Sequence, residues 1–267
     1  MKTKIKNQLK KIPIIFLYVR LLYKFSRLIK RTPYILFQYL FYRVKRDESN
    51  ISINDFESAI FSQNGEDGIL RFIFYRIKAY NKYFVEFGSA DNIENNTKIL
   101  QLMGWKGLLM DGVYSSKRIM KEIVNAENVE NLFLKYNVPE KFDLLSIDID
   151  SNDYWVWKAI ERYRPRVVVI EYNSSLGFEN SLTIKYDPNY WWNDNTNYYG
   201  ASLKALMKLG KLKNYKLVCC DSKGVNAFFV LNDEISRLNL DLNQKLNEIY
   251  KESNITYTKS DKKFIEV

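Results

Sequence analysis

Carboxylates stand at the ends of four successive apolar runs. Glu86 lies in the run 83–88, Asp111 closes 106–111, Asp148 closes 142–148 with Asp150 two residues beyond, and Glu171 lies at the end of the run from 167. Any one such acid can cap a helix or form an ion pair; four in the same relation to four runs suggest a shared site. The densest group is Asp148, Asp150, Asn152 and Asp153, with Glu171 and Asn173 at the next run's end. Oxygen ligands of this kind suit magnesium or manganese, and Asp148, Asp150 and Asn173 are the expected ligands. The chain has no histidine, so imidazole bases, Ser-His-Asp hydrolysis and His-ligated zinc are excluded. A hydroxyl nucleophile must then be activated by a carboxylate of raised pKa or by a metal-bound state. Gly88 followed by Ser89 lets a ligand approach the backbone closely. Asp111 can accept hydrogen bonds from ribose hydroxyls. The segment does not read G-x-G-x-x-G, which disfavours a dinucleotide and points to a nucleoside with little need of a phosphate cradle.

The elements that must position these residues alternate. Helical spacing marks 66–80, 95–103, 115–126, 153–163, 201–209 and 233–250. Apolar runs predict strands at 83–88, 106–111, 142–148, 167–172, 215–220 and 226–231, with a short one at 131–134. A polar, aromatic loop is expected over 173–199. Unalternated apolar strands are buried on both faces, and helices between them supply crossovers. The fold class is therefore α/β, a Rossmann-like, doubly wound and mostly parallel sheet over 55–267. In such a sheet, ligands sit beyond the carboxyl ends of the strands.

Charge is unevenly placed. Of 41 cations among 267 residues, 13 fall within residues 1–46, where there is no acid; the other 28 face 31 acids, a net −3. The body therefore makes no case for nucleic acid. Within residues 1–50, Arg20, Lys24, Arg27 and Arg31 stack along one helical face, while Leu17, Leu21, Leu28 and Phe25 share another. Uncharged stretches there are too short to span a bilayer. This basic amphipathic appendage is expected to lie on an anionic membrane surface, which places the chain in the cytoplasm, peripheral at the inner face. The adjacent Cys219 and Cys220 lie in an apolar run and read as buried free thiols, consistent with a reducing compartment.

Several segments resemble the FkbM-like group of S-adenosylmethionine-dependent class I methyltransferases. They are 62–68 (SQNGEDG), 84–88 (FVEFG), 94–97 (ENNT), 104–111 (GWKGLLMD), 143–157 (DLLSIDIDSNDYWVW) and 165–173 (PRVVVIEYN). The resemblance runs from about Ser62 to Val230 and leaves the basic segment outside. It implies a Rossmann-like sheet binding S-adenosylmethionine. Gln63, Glu86, Gly88, Ser89 and Asp111 would contact the cofactor. Asp148, Asp150, Asp153 and Glu171 would form the catalytic set facing the transferred methyl and the acceptor. It departs from the pattern where Ala90, Asp91 and Asn92 replace a further glycine, and where Ser151 stands in a common glycine position.

The function expected is O-methylation of a sugar or glycan-linked acceptor, assisted by a metal, with the aromatic loop 186–199 as acceptor wall. Two other readings stay open. Asp148-Ile-Asp150 is an Asp-x-Asp pattern, which in glycosyltransferases holds manganese against a nucleotide sugar. A membrane-associated scaffold without catalysis would keep the same fold.

Overall fold

The structure, a computed structural model, describes residues 51–192 and 195–267. The amphipathic reading of residues 1–50 lies outside the described residues.

Seven strands form the main sheet: β1 (Tyr83–Phe87), β2 (Lys106–Asp111), β3 (Ile119–Lys121), β4 (Lys141–Ile147), β5 (Arg164–Glu171), β7 (Tyr215–Cys220) and β8 (Asn226–Leu231). Their order is β3-β2-β1-β4-β5-β8-β7. All neighbours pair in parallel except β8, which runs antiparallel to both β5 and β7. The first five follow the 3-2-1-4-5 order of a doubly wound sheet, and the order reverses between β1 and β4. The fold is thus Rossmann-like and mostly parallel. β6 (Leu182–Thr183) and β9 (Ile265–Glu266) pair in a separate two-stranded ribbon, which draws the C-terminal tail against the aromatic loop.

The central strands are apolar on both faces, and the structure buries both. Alternate residues Val85, Phe87, Leu145, Ile147, Val168 and Ile170 join one core with Phe133, Trp157 and Leu206; the intervening Phe84, Leu144, Val167 and Val169 are equally buried. The helices are α1 (Glu66–Ile77), α2 (Lys98–Leu102), α3 (Val129–Lys135), α4 (Asp153–Ala159), α5 (Leu203–Leu212), α6 (Asn232–Leu238) and α7 (Leu246–Ile249). α5 starts where the Ser202 hydroxyl accepts from the Ala205 N–H, an ordinary N-cap.

Three expectations are corrected. The helix expected over 115–126 is instead the edge strand β3 between turns. The Ser116 hydroxyl accepts from the Arg118 and Ile119 N–H groups at 3.1 and 3.2 Å, turning the chain into register with β2. The strand expected at 131–134 is part of helix α3. Side chains of Asn125 and Asn128 each accept from the other's backbone N–H at 2.9 Å and so close the preceding turn. Val129, Leu132 and Phe133 are then buried at helical spacing. A short apolar run does not by itself distinguish the two periods. The single helix expected over 233–250 is two, α6 and α7, because Asn239 adopts the left-handed conformation (φ 50°) that ends a helix.

Candidate functional site

A cleft of about 1000 Å³ lies beyond the carboxyl ends of β1, β2, β4 and β5. That is the topological switch point, where adjacent crossovers leave in opposite directions. Its floor is built from turns that only certain residues can make. Gly88 has φ +71°, and a Cβ placed on it would lie 1.6 Å from the Asp148 carbonyl oxygen. The β1 turn therefore rests directly on the end of β4, and glycine alone fits there. Ala90 and Asn92 both take positive φ (47° and 56°), so this turn keeps a glycine-like path without the further glycine. Ser151 does not carry the corresponding strain after β4; Asp150 does, with φ 58°.

Each acid has a distinct setting. Asp111 accepts from Val113 and Tyr114 N–H through Oδ1 and from Ala90 N–H through Oδ2, all at 2.8 Å. It knits the β1 and β2 turns together while facing the cleft. Glu86 is buried; its Oε1 accepts from the Asn96 N–H at 2.9 Å and its Oε2 from the Thr97 hydroxyl at 2.5 Å. Burial pushes its pKa up to about 7, against those two hydrogen bonds, which pull it down. Asp153 is fully buried at the start of α4. Its two oxygens accept from Ile149 and Ser151 N–H at 2.9 and 3.0 Å, and loss of hydration raises its pKa to about 6.

Asp148, Asp150 and Glu171 converge: one oxygen of each lies within 4.8 Å of the others. Two full charges at that separation repel by roughly 3 to 4 kcal/mol at an effective dielectric of about 20. Desolvation in the cleft, then that mutual repulsion, holds Asp148 and Glu171 well above the ordinary carboxylate range. Asp150 is raised for the same first reason, with Asp111 next.

Of the residues expected at the site, Gln63, Glu86, Gly88, Asp111, Asp148, Asp150 and Glu171 line the cleft. Three expected residues do not, among the described lining. Ser89 is fully buried in the β1 turn. Asp153 is turned onto the backbone of the β4–α4 loop. Asn173 makes four hydrogen bonds within its own loop: its amide donates to the Asn197 and Tyr199 carbonyls, and its oxygen accepts from the N–H and hydroxyl of Ser175. The oxygen beside Asp148 and Asp150 comes from Glu171 and not from Asn173.

The cleft also holds residues not singled out in the sequence. Glu66, at the start of α1, accepts from the Asn64 N–H at 2.8 Å and from the Asn226 amide at 2.8 Å. Asn226 opens β8, opposite Glu171 in register. Because β8 is antiparallel, its first residue meets the last residue of β5; an expectation of parallel strands searches the wrong end. Glu66, Glu86, Glu94, Asp111, Glu122, Asp148, Asp150 and Glu171 are eight acids on the lining, with no lysine or arginine among the described lining residues. At the mouth, Val113, Tyr114, Ile123, Trp191 and Ile255 are large apolar residues exposed to solvent. Tyr190 also faces the cleft and donates its hydroxyl to the Tyr198 carbonyl at 2.7 Å, whereas Tyr198 and Tyr199 are buried anchors of the loop. The loop is thus partly core and partly wall.

No family model and no curated protein matches the sequence. Among solved structures, one described as the crystal structure of an S-adenosylmethionine-dependent methyltransferase from Clostridium acetobutylicum ATCC 824 is 13% identical, with a TM-score of 0.34, covering 63% of this chain and 92% of that one. A likeness this distant says nothing about chemistry.

Proposed function

We propose that the chain is an S-adenosylmethionine-dependent methyltransferase acting on a hydroxyl of a sugar or glycan-linked acceptor. The observation that carries this reading is a cleft at the switch point that joins a close-approach turn to a group of convergent acids. Gly88 brings the β1 turn against the end of β4, Asp111 stands at the end of β2, and Asp148, Asp150 and Glu171 converge beside them. The residues suit a cationic nucleoside: the described lining offers many acceptors and no lysine or arginine. Asn95, 6% exposed, leaves its amide oxygen without a partner on the same lining. Such a cofactor, when bound, supplies a methyl group on a sulfonium with a good leaving group.

The chain's own part is alignment and deprotonation. Asp111 accepts from ribose hydroxyls while its three backbone donors fix its orientation. Glu86 holds the loop of Asn96 and Thr97 in place over the β1 end. Asp150, the more exposed of the converging acids, takes the acceptor's proton; a raised pKa makes it a better base near neutrality than an ordinary carboxylate. Trp191, exposed at the mouth, offers an aromatic surface to a sugar. The basic segment 1–46 would hold the enzyme at an anionic membrane face, near lipid-linked acceptors.

Calorimetry of the full chain with S-adenosylmethionine tests the cofactor half. The wild type should bind, and Asp111→Ala should lose at least about tenfold in affinity, the order of one charge-assisted hydrogen bond. Binding of a nucleotide sugar with manganese, and none of the sulfonium, would reverse the assignment.

A further inference from the structure

We infer that Asp148, Asp150 and Glu171 hold a hard divalent cation, magnesium or manganese, in a space whose wall is completed by the amide oxygens of Asn226 and Asn152. Three carboxylate oxygens within 4.8 Å of one another are close to the widest spacing across one magnesium shell, about 4.2 Å, so small side-chain rotations bring all three onto a single ion. The second observation is the pair of buried asparagines. Asn226 is 2% exposed and donates its amide nitrogen to Glu66 Oε1 at 2.8 Å, leaving its oxygen unpartnered. Asn152 is 4% exposed and donates its nitrogen to the Asp187 carbonyl at 2.9 Å, again leaving its oxygen unpartnered. Neither amide can be reversed, because a flipped oxygen would face an oxygen that only accepts. Both line the cleft; Asn226 stands opposite Glu171 in register, and Asn152 lies two residues beyond Asp150.

Unpaired buried oxygens are unusual and call for a partner. Glu171 Oε2 is a third. All are acceptors, and no lysine or arginine is among the described lining residues. A donor or a cation completes each of them, and beside three convergent carboxylates a cation also relieves their mutual repulsion. A divalent ion offsets two of the three negative charges, where an ammonium offsets one, and oxygen-only ligands select hard ions. Such an ion lowers the pKa of a hydroxyl bound to it, which gives a chain without histidine a second means of activating an oxygen nucleophile.

The test is a titration of the chelator-treated full chain with manganese alone, followed by electron paramagnetic resonance. Saturable binding of one ion per chain, displaced by magnesium, is expected. Asp150→Asn, an exposed position that spares the core, and Glu171→Gln should each weaken binding by at least about tenfold, since even outer-shell changes cost that much. Glu122→Gln, an acid elsewhere on the cleft, should change it less than about twofold on the same scale. Absence of saturable binding, equal effects of all three variants, or binding of spermidine to this site in place of manganese would overturn the inference. No methyl donor is present, so a protein that fails to bind S-adenosylmethionine leaves this result readable by itself.

Discussion

Burial governs the protonation of Glu86, Asp67, Asp153 and Asp221. Their pKa values rise to about 7, 6, 6 and 7 in the folded chain, desolvation being the largest cause in each. An acid with a raised folded pKa binds its proton more tightly folded than unfolded. Its contribution to stability is complete at low pH and is lost as the pH climbs through the unfolded value toward the folded one. For Glu86 that window runs from 4.5 to about 7 and corresponds to roughly 3 kcal/mol. The protein without divalent ions should therefore have a higher urea midpoint at pH 5 than at pH 7.5, and Glu86→Gln should shrink the difference. A midpoint with the same pH slope in the variant would show that Glu86 is not responsible. The same residue scale explains why several site roles were hard to read. That Asp153 serves the backbone of Ile149 and Ser151, while Asp150 faces the cleft, follows from side-chain directions that a run of alternating acids does not reveal.

At the scale of elements, the end of the sheet opposite the cleft is held by Arg166 on β5. Its guanidinium donates to Asp143 of β4 at 2.8 Å, to the Ile77 and Lys78 carbonyls at the end of α1 at 3.0 and 2.6 Å, and to Glu234 of α6 at 2.9 Å. Asp143 is fully buried and also accepts from the N–H groups of Tyr80, Asn81 and Lys82. Arg166→Met leaves that carboxylate buried without its counter-charge, and chemical denaturation should register a loss of about 3–5 kcal/mol. A loss below about 1 kcal/mol would mean that the backbone donors suffice. The long apolar strands β1, β2, β4, β5, β7 and β8 were legible because a doubly buried strand needs nothing but apolar side chains over its length. β3 and α3 were exchanged because the deciding contacts, serine and asparagine side chains closing turns, are local geometry that periodicity does not carry.

For the whole molecule, the separation of charge is the largest feature: 13 cations and no acid in residues 1–46, against a body of net −3. The full chain should pellet with vesicles containing anionic lipid, less so as salt rises, and removal of residues 1–46 should abolish pelleting. Equal pelleting of the shortened chain would move the contact to the body, where the apolar mouth at Ile123 and Trp191 is the exposed alternative. No helix of the described residues is long and apolar enough to cross a membrane. Sequence alone determined the α/β class, the placing of acids at the tips of neighbouring strands, and the absence of imidazole chemistry. These depend on composition, on the apolar length of each strand and on the rule that parallel strands end together. Tertiary structure decided which tips meet. Glu171 and not Asn173 joins Asp148 and Asp150, and Asn226 arrives from a strand running the other way. The reason is that strand direction and side-chain aim are set by pairings between residues far apart in the chain, which no local pattern encodes.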